Sequence, residues 1–150
     1  MSSVRQMLET KGRAVWSVAA ADTVYDALNL MAEKNIGAVL VTDGDEVVGI
    51  MSERDYARKV ILKGRASKDT PVREIMTEHV YYVGPEQTSE ECMAVMTDRH
   101  IRHLPVIEGE KLMGVISIGD VVKAIISKQE FLIEQLENYI TGHVSTRMTG

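Results

Sequence analysis

Apolar and polar positions fall in short blocks along the 150 residues, and the order of the blocks predicts the elements. Residues 15 to 19 are an apolar run too short for a helix, so a strand is expected there. Asp22 then opens a segment in which Val24, Ala27, Leu28 and Met31 recur at helical spacing, which predicts an amphipathic helix capped by Asp22. Two β-branched runs follow, "GAVLV" at 37 to 41 and "VVGIM" at 47 to 51. The Asp43-Gly44 pair between them is a strong hairpin signal, so two antiparallel strands are expected. From Ser52 the pattern turns helical to about Lys63 and stops at Gly64, after which "GRASKDT" leads as a polar linker to Pro71, a favourable first helical residue.

The same order then returns: a strand near 80 to 83, a helix over 86 to 99, strands near 103 to 107 and 112 to 116, and a helix from Ser117. That last helix is expected to continue through "KQEFLIEQLENYI", where Phe131, Ile133, Leu136 and Ile140 make an apolar stripe. The end, "HVSTRMTG" at 143–150, has no periodicity and is expected to be a flexible tail. Asp55 and Asp120 lie 65 positions apart, and the same offset pairs Val18 with Val83, Thr23 with Thr88, Met31 with Met96, Ile36 with Ile101, Gly44 with Gly109 and Ser52 with Ser117. Upstream, Val4-Arg5-Gln6-Met7-Leu8 echoes Val72-Arg73-Glu74-Ile75-Met76. The chain is a duplication, each copy reading β-α-β-β-α after a helical turn. The expected division is 1–68 for the first copy with its N-terminal helical segment and 69–142 for the second with its extended helix.

At the heart of the repeat stand "GIMSERD" at 49 to 55 and "GVISIGD" at 114 to 120. Serine followed three residues later by aspartate, directly after an apolar strand, can be a capping box in which hydroxyl and carboxylate satisfy the free amides of a helix start. The same geometry can serve a ligand. A helix N-terminus with a serine hydroxyl can seat a phosphate, and a carboxylate one turn along can accept hydrogen bonds from the vicinal hydroxyls of a ribose. Phosphate and ribose are joined in a nucleotide, and the leading glycine would permit close approach of backbone and ligand.

Composition narrows the class. With 45% apolar and 26% charged residues the chain is an ordinary globule rather than a disordered or membrane protein. A single cysteine, Cys92, excludes an internal disulfide. The N-terminus lacks the apolar core of a leader and no run approaches the roughly 18 apolar residues of a spanning segment, so a cytoplasmic protein without membrane contact is expected. A net charge of -5 argues against nucleic acid as the main partner.

"RHLPVIEGEKLMGVISIGDVV" together with "GAVLVTDGDEVVGIMSERDYA" resembles the paired CBS domain, or Bateman module, and the likeness spans about residues 3 to 128. The nearest likeness is to stand-alone single-pair CBS proteins. The resemblance implies an α/β (α+β) fold of two βαββα repeats related by pseudo-twofold symmetry and packed as one CBS pair. It also implies two clefts for adenosine-containing ligands such as AMP, ADP, ATP, NAD(H) or S-adenosylmethionine. Carried over residue by residue, the first cleft would use Ile50, Ser52, Arg54 and Asp55 with Val80, Tyr81, Arg102, His103 and Pro105. The second would use Val115, Ser117, Gly119 and Asp120 with Val15, Trp16, Gly37, Ala38 and Leu40. Arg54, Arg102 and His103 stand where the second cleft has Gly119, Gly37 and Ala38, so the first is expected to prefer the more phosphorylated ligand. The implied role is a non-catalytic regulatory sensor, homodimeric, acting in trans on an unidentified protein; a constitutive scaffold with vestigial or permanently occupied clefts is the alternative.

Other residues carry no competing chemistry. Cys92 sits on an apolar helix face and is expected to be a core thiol. His79, His100, His103 and His143 have no common zinc spacing, and no metal is expected. No phosphate-binding GK[ST] loop and no nucleophile with an identified base are found.

Overall fold

A computed structural model describes residues 2–141 of the chain; the expected tail at 143–150, with His143, lies outside them. Ser3 caps α1 (Val4–Lys11) through a reciprocal box with Gln6. Strand β1 (Ser17–Ala19) leads to α2 (Val24–Lys34). The cap of α2 is Thr23, boxed with Asp26, rather than Asp22. Asp22 accepts instead from the Ala19 N–H at 2.9 Å, which ties off β1. Its carboxylate is one residue too early to reach the third helical amide.

Strands β2 (Ala38–Asp43) and β3 (Glu46–Ser52) pair antiparallel, with Asp43 opposite Glu46 across the two-residue turn Gly44-Asp45. Gly44 has φ of 63°, the left-handed value such turns demand of their first central residue. Strand β1 adds parallel to β2, Ser17 opposite Leu40. Helix α3 (Glu53–Tyr56) runs into a π-helical stretch, Ala57–Ile61, and Gly64 turns the chain out at φ of 67°. Two single 3₁₀ turns follow, Ser67–Asp69 and Val72–Glu74.

In the second copy, α4 (Ser89–Arg99), β4 (His103–Glu108), β5 (Lys111–Ser117) and α5 (Ile118–Thr141) repeat the order. The strand expected near 80 to 83 is reduced to a single bridge, Val83 opposite Val106. One cause is Pro85. Its counterpart in the first copy, Ala20, extends the β1 ladder by donating to the Thr42 carbonyl, and proline has no N–H to do so.

The compact units do not follow the expected division at 68/69. One unit is Ala14–Tyr82; the other joins residues 2–13 to 83–141. The helical segment ahead of each repeat therefore packs on the other repeat. Val4, Met7 and Leu8 of α1 are buried with Val83, Cys92, Met96, Leu104, Val106, Ile116 and Val121. Val72 and Ile75 are buried with Val18, Val24, Ala27, Met31, Val39, Val41, Met51 and Val60.

The repeated glycine explains the fit. A Cβ on Gly114 would stand 2.8 Å from Leu8 Cδ2, and one on Gly49 would stand 2.6 Å from Met76 Sδ and 3.0 Å from the Thr77 carbonyl oxygen. Leu8 and Met76 are matching residues of the upstream echo. The glycine ahead of each serine thus makes room for a packed helical segment, a role different from the ligand approach expected of it.

Candidate functional site: the two strand-to-helix junctions

Residues expected in each cleft are divided between the two units, and each unit is described by itself. Ala14–Tyr82 holds Val15, Trp16, Gly37, Ala38, Leu40, Ile50, Ser52, Arg54, Asp55, Val80 and Tyr81; the other unit holds Arg102, His103, Pro105, Val115, Ser117, Gly119 and Asp120.

In the first unit, Ser52 ends β3 and caps α3. Its hydroxyl accepts from the Asp55 N–H at 3.2 Å and donates to Asp55 Oδ2 at 3.1 Å, while its own N–H reaches the same oxygen at 2.9 Å. Asp55 Oδ1 accepts from Thr77 Oγ1 at 3.0 Å and pairs with Lys59 Nζ at 2.9 Å. A carboxylate has about four acceptor positions, and all four of this buried one are filled. Ile50 lies opposite Leu40 in the β2–β3 ladder, and its outer edge bonds Thr77 in both directions, N–H to carbonyl at 3.0 Å and carbonyl from N–H at 2.8 Å. Ala38 lies opposite Ser52, and the Gly37 carbonyl accepts the first helical amide, that of Glu53, at 3.1 Å. Val15 is half-buried, and Trp16 is exposed with Lys34 Nζ 4.3 Å from its ring centre. Arg54 and Tyr81 are exposed and Val80 is half-buried.

The second unit repeats this plan with different partners. Ser117 N–H and Oγ donate to Asp120 Oδ2 at 2.7 and 3.0 Å, and the Asp120 N–H returns to Ser117 Oγ at 3.3 Å. The third donor is Lys11 of α1, whose ammonium lies 2.7 Å from Asp120 Oδ2 and 2.7 Å from the Val115 carbonyl. Oδ1 of Asp120 has no partner among the described residues. Burial works to raise the Asp120 pKa, but the Lys11 hydrogen bond, the Ser117 amide and the lysine charge outweigh it and hold the carboxyl below its ordinary value. His103 lies opposite Ser117, Pro105 opposite Val115, and the Arg102 carbonyl accepts the first amide of α5 at 2.8 Å. Burial lowers the His103 pKa, the Lys11 charge adds to this, Asp120 opposes it and Arg102 lowers it further. His103 therefore counts as neutral at pH 7 and offers a proton-donating ring rather than a charge. Gly119 is exposed in the first turn of α5.

Two of the first three amides of each helix are thus spent inside the chain, and both serines and both acids form complete caps. Sequence reasoning placed these caps but missed three residues that hold the acids. Lys59 was findable, four positions after Asp55 on one helix. Thr77 and Lys11 carry no local signal, because they reach the acids through segments that pack on the opposite repeat.

Among the described residues no group of three or more His, Cys, Asp and Glu is placed to hold a metal ion, and no helix is long and apolar enough to cross a membrane. Cys92 is buried, and desolvation, with Glu91 beside it, pushes its thiol pKa up to about 11. Of the basic residues 54 to 73, Arg65 pairs with Glu74 and Lys68 lies over the Tyr25 ring.

The family model for the CBS domain matches twice, at residues 10–61 and 72–127. The chain belongs to the CBS domain family. It is 39% identical over 151 residues to the mitochondrial CBS domain-containing protein CBSX3 of Arabidopsis thaliana, covering 94% of this chain and 73% of that one. It is 28% identical over 149 residues to the CBS domain-containing protein YhcV of Bacillus subtilis, covering 99% and 96%. Among solved structures, a protein with CBS domains from Burkholderia ambifaria MC40-6 superposes with a TM-score of 0.82 at 56% identity, covering 85% of this chain and 96% of that one. The CBS fold, two mixed α+β repeats, is thereby established. One relative is mitochondrial by name, so CBS membership by itself does not specify a compartment.

Proposed function

We propose that this CBS protein is a non-catalytic sensor of adenine nucleotides, binding AMP, ADP, ATP or NAD(H) and altering the behaviour of a separate protein. The observation that carries the reading is the Asp120 junction. A carboxylate held ionised by Lys11 and Ser117 keeps one oxygen unspent among the described residues, at the start of a helix whose dipole favours an attached anion. Ribose hydroxyls suit that oxygen. Regulation would operate by linkage: a ligand shifts the protein only as far as its affinity differs between two states.

The Asp55 junction favours the second reading, a structural cap in a constitutive scaffold, because all of its acceptor positions are filled from within. Arg54 and Arg102 remain the candidate phosphate partners of the first cleft, with His103 contributing as a neutral donor. Homodimerisation is part of the proposal; Phe131, Ile133, Leu136 and Ile140 of α5 are exposed and form the candidate interface. The cytoplasm is the proposed compartment.

Calorimetric titration with AMP, ADP, ATP, NAD, NADH and S-adenosylmethionine tests the reading, with mass spectrometry of whatever co-purifies and light scattering for the dimer. A ligand at 100 times its dissociation constant stabilises the fold by about 2.7 kcal/mol. No binding, no co-purifying nucleotide and an unmoved melting temperature would leave the scaffold; conversion of the ligand would make the protein an enzyme.

A further inference from the structure

The two junctions are closed by devices of different rigidity. In the Ala14–Tyr82 unit one short residue bridges strand and acid: the Thr77 N–H binds the Ile50 carbonyl and Thr77 Oγ1 binds Asp55. In the other unit the matching carbonyl, Val115, and the matching acid, Asp120, are bridged by a single ammonium at the end of a flexible side chain, Lys11. Lys59, the second cation on Asp55, aligns with Ala124, so Asp120 has no equivalent support on its own helix. Lys11 is 36% exposed and belongs to the last turn of α1. The start of α1 is held independently: Val4 and Arg5 N–H groups bond the Gln87 and Pro85 carbonyls, and Val4, Met7 and Leu8 are buried. Lys11 ends the last turn, and beyond it the chain crosses into the other unit at Arg13 and Ala14.

Resting on the nucleotide reading of the Asp120 junction, we propose that Lys11 is a displaceable tether: a vicinal diol that engages both oxygens of Asp120 expels the ammonium and frees the last turn of α1. Asp120 Oδ2 already accepts three hydrogen bonds, more than its two lone pairs accommodate comfortably, so a hydroxyl can join that oxygen only if a donor leaves. The two Ser117 donors are fixed by the cap; the lysine is not. A ligand with one hydroxyl can use Oδ1 alone and leave Lys11 in place. Occupancy by a ribose, but not by a 2′-deoxyribose, is thereby converted into mobility at the junction between the units.

The test is hydrogen exchange at Lys11 and Gly12 of the full chain, free and saturated with AMP or 2′-deoxy-AMP, in wild type and Lys11→Met. The Gly12 N–H, bonded to the Leu8 carbonyl at 2.7 Å, is the reporter. Expected are faster exchange in wild type with AMP but not with 2′-deoxy-AMP, and fast exchange in Lys11→Met without ligand that AMP does not increase. AMP should bind that variant about two- to fivefold more tightly, the scale of a partly exposed ion pair no longer competing. Unchanged exchange in ligand-free Lys11→Met overturns the tether. Bound AMP that slows or leaves Gly12 exchange unaltered, equal release by 2′-deoxy-AMP, or weaker AMP binding to Lys11→Met overturns the displacement. Failure of AMP to bind wild type while Lys11→Met still quickens exchange overturns the nucleotide reading and the displacement with it, and leaves the tether standing.

Discussion

Replacing each repeat aspartate by alanine separates a structural acid from an available one. Asp55→Ala removes the acceptor for the Ser52 N–H and hydroxyl, for Thr77 Oγ1 and for Lys59. Loss of the cap costs about 1 kcal/mol. Stranding a part-buried threonine hydroxyl and a lysine partner adds about 1–2 kcal/mol. The sum, about 2–3 kcal/mol, corresponds to a fall in melting temperature of roughly 5–10 °C for a chain of this length. Asp120→Ala loses the same cap and one ion pair whose partners are 36% and 19% exposed, so solvent screening holds that pair below about 1 kcal/mol. Its fall should be about half as large. Calorimetric melting of both variants, with urea titration as a second measure, decides the matter. Equal losses, or a larger loss for Asp120→Ala, would refute the claim that Asp55 is the more deeply committed of the two.

Gly49→Ala should destabilise by about 1–3 kcal/mol, since its new methyl meets Met76 and the rigid Thr77 carbonyl, and Met76→Ala should recover part of that loss in the double variant; urea midpoints measure the coupling. Gly114→Ala should cost less, because it meets only side-chain atoms of the buried Leu8 and no backbone atom. Cys92 should resist a thiol reagent at pH 8 in the folded chain and react on unfolding, which absorbance titration follows. His103, whose folded pKa lies below its ordinary 6.5, binds fewer protons folded than unfolded. Its contribution is therefore complete above pH 6.5 and lost as the pH falls below it; His103→Gln should flatten the melting-temperature profile below about pH 6.5.

The elements were legible wherever their causes are local. The turn at Gly44 and Gly109, the helical stripes of α2 and α4, and the serine-aspartate caps each depend on residues within about four positions. The cap of α2 changed for a local reason, Thr23 outcompeting Asp22, whereas the strand before α4 is cut short both by Pro85 beside it and by the distant Pro105. The division into units was not legible, since the echo at 4–8 and 72–76 shows that two segments match without showing which repeat each covers.

By itself, the sequence determined a duplicated α+β chain of the CBS family with an acid one turn into the helix after each inner strand. Those features follow from periodicity, propensity and short-range hydrogen bonding. Tertiary structure alone decided that α1 packs with the second repeat and the 72–76 turn with the first, and hence that Lys11 holds Asp120 while Thr77 holds Asp55. The physical reason is that an ion pair spanning 109 positions forms only after apolar burial has brought its two segments together.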